Sequence, residues 1–102
     1  MNIFIQPDAE AEIESARQFL EAQRSGLGER FVNDVNLVMA AIASRPESYP
    51  KLETLPPARS YRRAVLQGFR YLVVFEILPD IIHVIAVPHT SRAPNYWLSR
   101  RW

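Results

Sequence analysis

Apolar and polar positions follow two different periods along this chain, and the change of period divides it into halves. In the first half the apolar residues recur every three or four positions. Ala9, Ile13, Ala16 and Leu20 fall at i, i+4, i+7 and i+11, one face of a helix, and Phe19 widens that stripe. Pro7-Asp8-Ala9-Glu10 reads as its start, because proline suits a first helical turn and Asp8, Glu10 and Glu12 favour the positive end of the helix dipole. Ser25-Gly26-Leu27-Gly28 interrupts the pattern, glycine being costly inside a helix and cheap at its end. Phe31, Val35, Val38 and Ile42 then repeat the spacing, with Met39 beside them, and predict a second helix from about Gly28 to Ser44. Pro46 closes it, since the residue before a proline is pushed out of the helical region. Two such helices joined by a short glycine-containing link form an antiparallel hairpin.

The second half loses the helical period. Tyr61–Leu66, Tyr71–Leu78 and Ile81–Val87 are short runs rich in Val, Ile, Tyr and Phe, as a half-buried sheet requires. Gln67-Gly68 and Pro79-Asp80 separate them, and both dipeptides suit tight turns. Three strands with two tight turns make an antiparallel meander. Asn2–Ile5 is a further β-prone segment, stopped by Pro7. The order β-α-α-β-β-β, with a short helix expected after Pro94, predicts an α+β domain over residues 1–102 in which an antiparallel sheet packs on an N-terminal αα-hairpin. Along the middle strand Tyr71, Val73, Phe75 and Ile77 share one side, and Leu72, Val74, Glu76 and Leu78 the other. Both sides are apolar enough that the one away from the hairpin should also be covered, by the C-terminal segment or by a partner.

Length and composition narrow the class. A chain of 102 residues supports a single modest core, and 48% hydrophobic content argues against disorder. Without cysteine there is neither a disulfide framework nor a thiolate metal site, and no cofactor or metal is expected from any ligand cluster. The absence of a signal-like start or an apolar run long enough to span a bilayer leads to the expectation of a soluble cytoplasmic protein with no membrane partner. Charge is uneven: the net +1 of the whole chain divides into −4 over residues 1–50 and +5 over residues 51–102. Such asymmetry suits either an anionic partner or arginines that simply solvate an open sheet face.

Several pieces, spread over almost the whole chain, resemble one family. They are the Pro7-Asp8-Ala9-Glu10 opening, Gly26-Leu27-Gly28-Glu29-Arg30-Phe31 between the helices, and Arg45-Pro46-Glu47-Ser48-Tyr49-Pro50 after them. Arg62-Arg63-Ala64-Val65-Leu66 through Phe69-Arg70-Tyr71-Leu72-Val73-Val74-Phe75 follows, then a His89-Thr90-Ser91-Arg92-Ala93-Pro94 end to the last strand. In order and spacing they resemble the RelE/ParE superfamily of bacterial type II toxins, most closely its ParE branch. The resemblance implies the fold just derived, a bacterial cytoplasm, and a cognate antitoxin forming a hetero-oligomer with the toxin. The antitoxin would lie over the hairpin and sheet, with Ile13, Leu20, Phe31 and Val35 as candidate contacts.

The superfamily implies two functions of different kinds. RelE-like members resemble ribosome-dependent ribonucleases acting on mRNA; ParE-like members bind DNA gyrase and stall replication. Metal-free RNA cleavage needs a base for the 2′-hydroxyl, an acid for the leaving oxygen and cations for the phosphorane. His89 or Glu53 could move the proton, Tyr96 could donate one, and Arg62, Arg63, Arg70 and Arg92 could hold the phosphate. Arg62 and Arg63, however, are adjacent in a strand and point to opposite faces, and His89 could simply bond to turn backbone. With one lysine and a net charge of +1, the chain is also poorly equipped to grip ribosomal RNA. The expectation is therefore a gyrase-binding inhibitor, not an enzyme, whose contact surface runs through Arg92, Tyr96, Trp97, Arg100, Arg101 and Trp102, a set rich in interface-type residues. Trp97 is expected to pack back on the sheet, while Trp102 could pack or stand free. A chain that keeps the fold as a non-toxic binding module is the third reading.

Overall fold

The computed structural model describes residues 1–52, 60–93 and 95–100. It contains β1 (Asn2–Ile5), α1 (Pro7–Gln23), α2 (Leu27–Ser44), β2 (Tyr61–Val65), β3 (Leu72–Ile77) and β4 (Ile81–Ala86), with 3-10 turns at Pro46–Ser48 and Tyr96–Ser99. The α+β order expected from the sequence is the order observed. The meander is present too: β2 and β3 pair antiparallel from Tyr61↔Glu76 to Val65↔Leu72, and β3 pairs antiparallel with β4. Pro79-Asp80 closes its tight turn through a hydrogen bond from the Leu78 N–H to the Ile81 carbonyl.

One strand departs from the antiparallel expectation. β1 lies beside β4 and runs parallel to it, Asn2↔Ile81 through Ile5↔Val84, so the sheet is mixed and ordered β1-β4-β3-β2. Nothing local in Asn2–Ile5 specifies that partner. The parallel direction follows from the long α1–α2–β2–β3 excursion between the two strands, which returns the chain to the same end of the sheet. Gln6 still bonds to the Val84 carbonyl, and the chain then turns away into α1 at Pro7.

The two helices meet closely at the link. Gly26 adopts φ +89°, a left-handed conformation that glycine tolerates. Gly28 lies inside the first turn of α2 rather than in the break, for a packing reason: a Cβ there would stand 2.7 Å from the Arg17 carbonyl oxygen of α1. Glu21 of α1 completes the link, its carboxylate accepting from the Gly26 and Gly28 N–H groups at 3.0–3.1 Å and so capping α2. Those bonds hold the Glu21 carboxyl below its ordinary range.

Each face of the sheet carries its own core. The hairpin side gathers Ala9, Ala16, Phe31, Val35, Met39 and Ile42 against Val73, Phe75, Ile82, Val84 and Val87, with Tyr71 and Ile77 at its margin. Phe31 is central, with the rings of Tyr71 and Phe69 set edgewise at 5.0 and 5.5 Å. The opposite side gathers Tyr61, Val74, Ile85 and Ala86 under Trp97, with Leu52, Leu72, Tyr96 and Leu98 around them. The second face is thus covered by the chain's own C-terminal segment, and Trp97 packs on the sheet as expected.

Candidate functional site

The site follows from where β1 stops. Once Gln6 has bonded to Val84, the chain leaves the edge of β4, and the Ile85 carbonyl and Val87 N–H lose a strand partner. Buried backbone groups of this kind require partners. Two side chains take the strand's place. Glu12, from the second turn of α1, accepts the Val87 N–H at 2.9 Å, and Arg100, after the Tyr96–Ser99 turn, donates to the Ile85 carbonyl at 2.9 Å. They also bind each other as a two-pronged pair, Nη1 to Oε1 at 3.0 Å and Nη2 to Oε2 at 2.9 Å. The Tyr96 hydroxyl donates a fourth hydrogen bond to the same carboxylate. Arg100 Nε lies 3.3 Å from Asp8.

This clamp straps residues 95–100 across the sheet and onto α1. Beside it runs a groove of about 570 Å³. Asp8, Ala11, Glu12, Ser15, Ala16 and Phe19 form its α1 side, a helical stripe rotated from the buried one; Tyr71, Val87, Pro88 and His89 form the sheet side; Arg92, Tyr96 and Arg100 close the end. His89 reaches this position because residues 88–90 continue beside the start of β3. The Leu72 N–H donates to the Pro88 carbonyl, the Thr90 N–H donates to the Arg70 carbonyl, and Tyr71 and His89 form an antiparallel bridge.

The electrostatics make the clamp rigid rather than reactive. Burial by itself would raise the Glu12 carboxyl; the hydrogen bonds from Arg100, Tyr96 and Val87 outweigh it, and Glu12 is held below its ordinary range. Tyr96 is pushed well above its ordinary range by burial and by its bond to Glu12, so its phenol keeps its proton. Arg100 is raised by the Glu12 hydrogen bonds against the effect of burial. His89 accepts the Ser91 N–H through Nδ1 at 3.0 Å, with the Ser91 hydroxyl 2.8 Å away, which puts the neutral ring's proton on Nε2. Its ring meets Tyr71 edgewise at 5.1 Å.

The residues anticipated for catalysis separate on the fold. His89, Arg92 and Tyr96 line the groove. Arg62 does not: its guanidinium is bound to the carbonyls of Tyr49 at 2.6 Å and Glu47 at 3.3 Å, beside the Pro46–Ser48 turn. Arg63 and Arg70 are exposed outside the groove, and Glu53 lies outside the described residues. Of the anticipated target contacts, Arg92 is exposed, whereas Trp97 is only 4% exposed and Tyr96 and Arg100 are turned inward onto Glu12. Arg101 and Trp102 lie outside the described residues.

Of the anticipated antitoxin contacts, two are enclosed and two are partly open. Phe31 and Val35 are 0% and 2% exposed, wedged between α2 and the sheet, so no partner reaches them in the folded chain; Ile13 and Leu20 are half-buried against the same core. Glu12, central to the site, was missed. Its signal was present: it lies three residues after Ala9 and four before Ala16, an acid placed beside an otherwise apolar stripe. Among the described residues no helix is long and apolar enough to cross a membrane, and no cluster of three or more His, Cys, Asp or Glu residues could hold a metal ion.

A two-helix hairpin on a small mixed sheet, in the order β1-α1-α2-β2-β3-β4, is consistent with the α+β fold of the RelE/ParE toxins. Residues 3–94 match the family model described as the ParE toxin of the type II toxin-antitoxin system, parDE. That match spans most of the 102 residues, and the chain belongs to the ParE toxin family. No curated protein matches it.

Proposed function

We propose that this ParE-family toxin inhibits DNA gyrase by binding it, inside the bacterial cytoplasm, and is neutralised there by its cognate antitoxin in a hetero-oligomer. One observation carries the choice of binding over RNA cleavage. The acid–base groups gathered at the groove already have partners: Glu12 is kept ionised by Arg100, the Tyr96 phenol is committed to Glu12, and the His89 Nδ1 accepts from the Ser91 backbone. Catalytic groups work best when their pKa values lie near the operating pH. Glu12 and Tyr96 are shifted the opposite way, each toward the form that keeps the clamp closed. Arg62, Arg63 and Arg70, which a phosphate clamp would need, stand elsewhere.

In this reading the target contact is made by Arg92, Arg101 and Trp102, while Tyr96, Trp97 and Arg100 fix the segment that presents them. Aromatic and arginine residues are the usual anchors of protein interfaces. The test is a gyrase supercoiling assay with purified toxin, run beside mRNA cleavage on translating ribosomes. Wild-type toxin should abolish supercoiling and leave mRNA intact. Removing residues 101 and 102 should weaken inhibition about tenfold or more, the effect of losing one interface anchor. Arg100 is kept in that truncation because its loss would open the strap as well. His89→Ala should inhibit like wild type. Cleaved mRNA with normal supercoiling, lost in His89→Ala, would reverse the assignment.

A further inference from the structure

The C-terminal strap covers only part of the second face of the sheet. Trp97 and its neighbours lie over Tyr61, Val74, Ile85 and Ala86, and that cover ends before the β2–β3 turn. Along β2, alternation sets Ala64 into the hairpin core and Tyr61, Arg63 and Val65 onto the second face. Tyr61 is 4% exposed there, whereas Val65 is 56% exposed. Across the strands Val65 pairs with Leu72, which is only partly buried, and Arg63 pairs with Val74. A single exposed valine is ordinary on a protein surface. The charges around this one are not.

Two arginines of the second half are already engaged: Arg62 ends on the carbonyls of Glu47 and Tyr49, and Arg100 on Glu12 and Asp8. Arg63, Arg70 and Arg92 are exposed and have no carboxylate partner among the described residues. Glu76, the acid on this face of β3, is turned to His83, 3.3 Å from its Nδ1. All three free arginines stand at one end of the sheet, where β2 finishes, β3 begins and the chain leaves β4. Arg63 is two residues from Val65 on the same face. Arg70 precedes β3, and its carbonyl accepts the Thr90 N–H at 2.9 Å, two residues before Arg92. The positive excess of residues 51–102 is thus left open beside an uncovered apolar pair.

We propose that Arg63, Val65, Arg70 and Leu72 form a second contact surface for the target, continuous with Arg92, which takes a protein surface carrying an apolar side chain flanked by carboxylates. It rests on the reading of this chain as a gyrase-binding toxin and extends the target contact from the C-terminal residues to the β2–β3 end of the sheet. An apolar centre with arginine at its rim is the anatomy of a protein interface. Each free guanidinium can take a carboxylate in two-pronged geometry. Duplex DNA fits less well: it offers phosphates but no apolar partner for Val65 and Leu72, and a chain of net charge +1 draws little from polyanion attraction.

The test is titration calorimetry of purified gyrase with wild-type toxin, Arg63→Glu, Val65→Glu, Arg70→Glu and, as control, Arg45→Glu. Arg45 is exposed just after α2, whose last turn meets Met1 at the opposite end of the sheet. Circular dichroism and affinity for the antitoxin encoded with this toxin should be the same for all five, since each substituted side chain is exposed. Arg63→Glu, Val65→Glu and Arg70→Glu should each weaken gyrase binding about tenfold or more, with Arg45→Glu unchanged. Wild-type affinity in all three variants, with the wild type itself bound, overturns the proposal and leaves the gyrase reading standing. A wild type that does not bind gyrase overturns both. Antitoxin affinity lost while gyrase binding is kept would give this surface to the antitoxin. Binding of the toxin alone to linear duplex DNA, lost in Arg63→Glu, would give it to nucleic acid. Either result overturns the assignment.

Discussion

The two faces of the sheet are covered by different means. On one, α1 and α2 bury a continuous apolar surface whose pieces are dictated by helical period, and Phe31, Ile42 and Val73 are fully enclosed there. On the other, Trp97 supplies the apolar cover, but its segment is held at its end by polar bonds: Glu12 and Arg100 close an edge of β4 that β1 has abandoned. Apolar burial is non-directional and tolerates local adjustment, whereas a buried polar pair depends on geometry and on charge state. The first face should therefore respond to volume and the second to charge.

Truncation within the hairpin core should have the largest effect. Phe31→Ala removes a fully buried ring and the edgewise contacts of Tyr71 and Phe69, and should cost about 3–5 kcal/mol in urea unfolding, enough to unfold much of a marginal domain. A loss under about 1 kcal/mol would mean that this face is not the main source of stability. Glu12→Ala sharpens the contrast. It leaves the Val87 N–H and the Arg100 guanidinium short of partners and should cost about 1–3 kcal/mol. The damage should be local: hydrogen exchange at Val87 should quicken, while amides of α2 keep their protection. Uniform loss of protection in both places would show that the two faces unfold as one unit.

This division also explains how much could be read in the sequence. The hairpin, the meander and the facing of Tyr71, Val73, Phe75 and Ile77 were legible because each rests on a period of a few residues or on a turn dipeptide. The parallel pairing of Asn2–Ile5 with Ile81–Val84 was not, since four β-prone residues carry no mark of a partner so distant in the chain. The cover on the second face was half legible: Trp97 was expected to pack, but Arg100 read as part of a free basic tail. Its partner Glu12 lies 88 residues away, and what joins them is the pair of backbone groups left open where β1 ends. A vacancy in a ladder is a property of the assembled sheet. Composition showed arginine and aromatic residues near the C-terminus but could not distinguish those facing inward, Tyr96 and Arg100, from Arg92, which is exposed.

The smallest predicted effect is also the most specific, because only the charged cover should show it. Glu12 has its carboxyl lowered from an ordinary value of 4.5. A carboxyl lowered by folding contributes stability that is complete above the unfolded value and is lost as pH falls through the folded one. Glu12→Gln should thus be less stable than wild type by about 1–2 kcal/mol at neutral pH, through weaker hydrogen bonding to Arg100. The gap should begin to narrow as pH falls below about 4.5, where the unfolded carboxyl takes up its proton, and close at lower pH as the folded Glu12 does so and becomes a neutral acceptor like the amide. Other lowered acids, Glu21 at the α2 cap and Glu14, held at about 2 by its Arg17 hydrogen bond, are common to both proteins and cancel in the difference. Urea midpoints measured for the pair from pH 7 to pH 3 supply the comparison. A gap that stays constant across that range would mean that Glu12 holds the strap by shape and hydrogen-bond count, leaving its charge without a role there.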